Sequence, residues 1–136
     1  MFKNRVQLVG NIIYQYSRQQ ALSDGMLVDV SSTAREAGFT IPVAVTEAVW
    51  SRYIDWSEED TQRQTIQDCT GRLWDVLWML RLSIKHHTTA AILSYRLSVV
   101  PRDGKSRKAT LTTLKSIISG GDNGEPVITI MLPDED

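Results

Sequence analysis

Between Ala91 and Leu132, apolar and β-branched residues come in three bursts separated by two runs of turn chemistry, Pro101-Arg-Asp-Gly104 and Ser119-Gly-Gly-Asp-Asn-Gly124. Leu93, Tyr95, Leu97 and Val99 alternate with Ser94, Arg96 and Ser98, the period-two pattern of a strand with one face buried. Ala109 to Ile118 is rich in threonine, leucine and isoleucine, which suit a pleated surface. Val127 to Leu132 is apolar except for Thr129, so this strand should be covered on both faces or lie centrally. Short connections predict a three-stranded antiparallel meander.

The residues before the tail read as helical. The first eleven look loosely ordered, and Ile12, Tyr14 and Tyr16 alternate with polar neighbours as in a short extended segment. Ser17 can cap a helical turn that stops at Ser23-Asp-Gly25, and Met26 to Val30 is a brief extended piece. Thr33 and Glu36 have the spacing of a capping box, with Ser31 and Ser32 as alternative caps, and Gly38 ends that helix. Pro42 suits a first helical position, and Val45, Ala48, Val49, Arg52 and Tyr53 share a face, which predicts a helix to about Asp55. Ser57, followed by Glu58, Glu59 and Asp60, is the clearest start signal, a hydroxyl cap with carboxylates at the positive end of the helix dipole. From there one helix should run into the low eighties and form the centre of the core, with Gly71 the one point that could divide it.

The expected fold is therefore α+β: a helical N-terminal half, with one long central helix, packed on a C-terminal three-stranded antiparallel sheet. The 136 residues suit a single domain, with Pro133 to Asp136 ending in solvent. Fifteen basic and sixteen acidic residues leave a net charge of −1, so no global field attracts nucleic acid or an anionic membrane. Cys69 is the sole cysteine, which excludes an intramolecular disulfide and suits a reducing cytoplasm. No apolar run approaches the roughly 20 residues that span a bilayer, so no membrane role is expected.

Several strings in the chain are familiar: Ala21-Leu-Ser-Asp-Gly-Met-Leu-Val-Asp-Val30, Ala34-Arg-Glu-Ala-Gly-Phe39, Gly71-Arg-Leu-Trp-Asp-Val-Leu-Trp78, Val100-Pro-Arg-Asp-Gly104 and Asp122-Asn-Gly-Glu-Pro-Val-Ile-Thr-Ile-Met-Leu-Pro133. In these the chain resembles a family of small bacterial proteins, classed only as a domain of unknown function, carried largely on plasmids, phages and integrative elements. The resemblance implies an accessory role for a mobile genetic element. By analogy with other small proteins of such elements, it points to inhibition of a host defence system, anti-CRISPR or anti-restriction. It brings no established activity with it.

The residues themselves offer four kinds of site. Adjacent His86 and His87 cannot easily aim at one ion, since neighbours on a helix point about 100° apart, so no metal or other cofactor is expected. No nucleophile elbow exists, and no catalytic residue is assigned; Asp29 with Arg35 and Glu36 is the best acid–base group, which leaves a small hydrolase as the weakest alternative. Arg96, Arg102, Lys105, Arg107 and Lys108 cluster about the first hairpin and could contact phosphates, which makes a nucleic-acid-binding accessory protein the main alternative. Trp56, beside Glu58, Glu59 and Asp60, is the candidate surface anchor for a basic partner, joined by the Asp134 to Asp136 tail, whereas Trp74 and Trp78 are assigned to the core. The favoured expectation is a non-enzymatic interaction protein whose partner is a host protein or defence complex.

Overall fold

A computed structural model of the protein describes residues 5–9, 12–86 and 91–136. Strands β1 (Arg5–Val9) and β2 (Ile12–Tyr16) pair antiparallel with each other. Helix α1 (Arg18–Ser23) follows, then β3 (Leu27–Asp29), α2 (Ser31–Glu36), β4 (Val43–Thr46), the single turn α3 (Glu47–Val49) running into a π-helical turn (Trp50–Ile54), α4 (Glu58–Arg63), α5 (Cys69–His86), β5 (Ile92–Val99), β6 (Thr110–Gly120) and β7 (Pro126–Met131). The remainder of the first eleven residues lies outside the described residues.

The mixed α+β character matches expectation, but the sheet does not. It has five strands in the order β3-β4-β7-β6-β5, with a parallel β4–β7 pair beside three antiparallel ones. The three tail strands form three of the five, and β7 is the middle strand with Val127 to Leu132 buried, as its apolar run requires. Of the other two, β3 falls on the expected extended piece Met26 to Val30, and β4 comes from the segment expected to be helical. Val43-Ala-Val-Thr46 is buried at every position and bonds on both sides, to β3 and β7. Four consecutive buried residues with β-branched members satisfy their backbone better in a sheet interior than in a helix. Pro42 precedes the strand, and its carbonyl accepts from Ile128 N–H at 2.9 Å. Thr46 closes the strand and caps α3, its hydroxyl accepting from Val49 N–H.

The expected long helix is also two. α4 ends at Gln64, whose backbone (φ −121°, ψ −87°) leaves the helical region while its amide reaches into the β5–β6 loop. α5 restarts after Asp68, whose carboxylate accepts from Gly71 N–H at 2.6 Å, so Gly71 lies in a first turn, not mid-helix. α5 is not central: Leu73, Val76, Leu77 and Leu80 press onto one face of the sheet and the opposite side meets solvent. α2 starts at Ser31, with Asp29 accepting from Ser31 N–H and Oγ–H, so Thr33 and Glu36 lie inside the helix and form no capping box.

One sheet face packs on α5, α2 and the π-helical turn through Val43, Val45, Tyr95, Leu97, Leu114, Ile128 and Ile130. Burying each of the aliphatic side chains stabilises the fold by roughly 1.5–3 kcal/mol. On the other face, α1 and Tyr16 pack over Leu27 and Ala44 of β3 and β4, and Arg18 of α1 reaches β7 at Thr129 and Ile128. The β5–β6 end carries exposed Ile92, Ser94, Arg96, Ser98 and Leu111. The tail is partly tied back: Glu135 accepts from Thr46 Oγ and Leu132 N–H, each at 2.8 Å, and Lys115 Nζ donates to the Pro133 and Glu135 carbonyls.

Candidate interaction surface on the long helix

The tryptophans exchange the places expected of them. Trp56 is only 7% exposed. Its Nε1–H donates to Thr61 Oγ at 3.0 Å, its backbone N–H to Cys69 Sγ at 3.3 Å, and the Arg72 guanidinium lies 4.4 Å from its ring centroid. Arg72 is buried too: Nε donates to the Ile54 carbonyl, Nη1 to Val100 and to Gln67 Oε1, and Nη2 to Arg52. It thereby satisfies carbonyls that the irregular π-helical turn leaves free. Burial lowers its pKa, opposed chiefly by Cys69.

Trp78, assigned to the core from sequence, is 39% exposed and Trp74 is half-buried. Their rings stack with centroids 5.8 Å apart and an interplanar angle of 11°. Beside Trp74 is an open groove of about 540 Å³ lined by Ile66, Gln67, Asp68, Gly71, Trp74 and Asp75, with Arg72 behind. Ile66, in the connector before α5, is 84% exposed. Burial pushes the Asp75 carboxyl above its usual range, with the Arg72 charge opposing. The run of apolar residues in α5 hid this face. Charged Asp75, Arg81 and Lys85, three before, three after and seven after Trp78, were the available signal for a solvent stripe.

The two sets of charged candidates meet. Arg102 Nε bonds Asp60 Oδ2 at 2.8 Å and Nη1 bonds Asp55 Oδ2 at 3.0 Å, with a further bond to the Ser51 carbonyl. Asp60 also closes the capping box with Ser57. Burial pushes the Asp60 carboxyl up, but Ser57 N–H and Oγ–H together with Arg102 outweigh it and hold the pKa below its usual value. Glu58 and Glu59 are exposed, Glu59 pairing with Arg63 one turn on. Lys105, Arg107 and Lys108 are exposed, as is Arg96 on β5, and none makes an ion pair among the described residues. Their loop is held by buried Gln64, whose Nε2 donates to the Pro101 and Ser106 carbonyls at 2.7 Å each and whose Oε1 accepts from Gly104 N–H.

The family model described as "Family of unknown function (DUF6573)" matches residues 4–136. The chain belongs to this family. No curated protein and no solved structure matches it.

In this DUF6573 chain the acid–base group expected at Asp29 lines a second cleft, of about 420 Å³, with Arg18, Ser31, Arg35, Asp122 and Glu125. Its polar groups serve the backbone. Asp29 Oδ1 accepts from Ser31, whose hydroxyl accepts from Val43 N–H; both Asp122 oxygens cap α1 at Arg18 and Gln19; Arg18 donates to Thr129 Oγ and the Ile128 carbonyl. Glu36 is exposed and does not line this cleft. His86 ends α5, His87 lies outside the described residues, and no group of three metal-ligating side chains exists among the described residues. Among them no helix is long and apolar enough to cross a membrane.

Proposed function

We propose that the protein is a non-enzymatic, cytoplasmic interaction protein that docks a macromolecular partner on the solvent face of α5. The stacked Trp74–Trp78 pair carries this reading: an exposed indole stacked on Trp74, whose groove also holds the 84% exposed Ile66, is the composition of an interface hot spot. Asp29, Ser31 and Asp122 of the second cleft, by contrast, are bound to the chain's own backbone, an arrangement that favours a structural role for them. The resemblance to proteins of plasmids and phages extends the reading to a stoichiometric inhibitor of a host defence complex.

A photo-crosslinking residue at position 78, with one at Leu111 as control, tests this in cells. Crosslinks to a discrete host protein from position 78 alone are expected; equal crosslinking from both positions argues against the surface. Expression should raise plaquing of a phage restricted by that complex, and Trp78→Glu should abolish the rise.

Exposed Arg96, Lys105, Arg107 and Lys108, unpaired by carboxylates among the described residues, favour a second reading, nucleic-acid binding at the β5–β6 hairpin. In that case mobility-shift affinity falls steeply with salt, and Lys105→Glu with Arg107→Glu removes it. No shift at low salt eliminates this reading.

A further inference from the structure

We infer that the groove between the Gln64 to Asp68 connector and the first turns of α5 receives an arginine or lysine side chain from a basic, apolar-flanked segment of the partner, laid on the Trp74–Trp78 rings and held by Asp68 and Asp75. The inference rests on the docking reading above and names the chemistry of what docks.

Charge complementarity carries it. Two carboxylates line the groove against one cation, Arg72, and neither forms an ion pair among the described residues. Asp68 uses Oδ1 to cap α5 at Gly71, while its other oxygen makes no hydrogen bond, and Asp75 makes no hydrogen bond or ion pair among the described residues. The cation that lines the groove, Arg72, is turned away: its guanidinium is occupied by three carbonyls, Gln67 and the Trp56 ring. The groove therefore presents unbalanced negative charge against an aromatic wall, the setting in which a partner cation gains both a carboxylate and a π face.

The ring geometry narrows the choice. Rings stacked only 11° from parallel offer an outer π face, which suits a planar guanidinium or an extended lysine stem; a quaternary ammonium cage needs walls set at an angle to one another. Ile66 at the rim offers an apolar contact to a neighbouring aliphatic residue of the same segment.

Panning a random dodecapeptide display library on the full chain tests the inference. The enriched sequences should carry arginine or lysine next to an aliphatic residue. Affinity of the leading synthetic peptide should fall by about tenfold on Trp78→Ala, on paired Asp68→Asn and Asp75→Asn, and on replacing its basic residue by glutamine. Circular dichroism and melting of each variant establish that it is folded, and Asp68→Asn keeps a capping side chain. Neutral or acidic peptides whose binding still requires Trp78 overturn the charge assignment and leave the docking surface standing. No enrichment, or binding indifferent to Trp78, overturns both. Light scattering that shows a dimer dissolved by Trp78→Ala makes the occupant a second copy, and a single-stranded RNA that binds only with Trp78 intact makes it a nucleic acid; each overturns the inference.

Discussion

Arg72 and Asp103 show how single polar side chains hold irregular backbone here. Arg72 serves the Ile54, Val100 and Arg52 carbonyls with one planar fork, so its loss strands acceptors in the core. Arg72→Ala should cost about 2–4 kcal/mol, read from the urea midpoint, and Arg72→Lys should rescue little, because an ammonium is a point donor without the fork. Asp103 is fully exposed, yet Ser106 Oγ–H and the Ser106 and Lys105 amides hold its pKa at about 2, below the ordinary 3.8. A carboxylate depressed in the folded state contributes stability that is complete above the ordinary value and is lost as pH falls through the folded one. Thermal stability should therefore decline between pH 3.8 and about 2, and Ser106→Ala should raise the Asp103 carboxyl titration seen by NMR. An unmoved titration would mean that the turn, and not the hydroxyl, sets the value.

At the scale of elements, the joints were harder to read than the elements. Ser57 and its acidic first turn were legible, because a capping box is local chemistry. The end of α4 was not, since Gln64 leaves the helix to bind a loop about forty residues away in sequence, and no local pattern records that. Gln64→Ala should cost about 1–3 kcal/mol and speed hydrogen exchange at the Gly104 amide before it affects β7. Gly38, where α2 turns toward β4, has φ +102°, and a Cβ there would lie 1.9 Å from Arg81 Nη1, which donates to the Ala37 carbonyl. Gly38→Ala should destabilise by about 1–3 kcal/mol in a thermal melt. The candidate surface was half legible: two indoles one turn apart were visible, but their facing was not, because eight apolar positions between Leu73 and Leu82 leave more than one stripe to choose from.

For the whole molecule, β7 is the hinge of the topology. It joins the β5–β6 hairpin to the β3–β4 pair, and its parallel partner β4 lies more than eighty residues upstream. Deleting residues 126–136 should leave no cooperative thermal transition, whereas deleting residues 1–15, which hold β1 and all of β2 except Tyr16, should leave the transition of the five-stranded sheet in place. The late pairing of distant strands places folding in the slow range, roughly milliseconds to seconds, which stopped-flow fluorescence can follow.

What the chain's residues determine unaided is local: alternation that makes β5, the apolar run that makes β7, turn chemistry at Gly104 and Gly124, and the cap at Ser57. Each follows from conformational preference or solvation within a few residues. What the tertiary structure decided is which segments share a sheet and which side of a helix is left wet. Val43 to Thr46 carries apolar spacing that a helix or a strand could use, and β7 settles the matter by offering backbone partners from the far end of the chain. Trp56 stands in an acidic stretch and Trp78 in an apolar run, yet the outcome is the reverse of what those surroundings suggest. Trp56 is buried, held by Arg72 over its ring and by Thr61 and Cys69, and Trp78 is exposed because the sheet lies on the opposite side of α5.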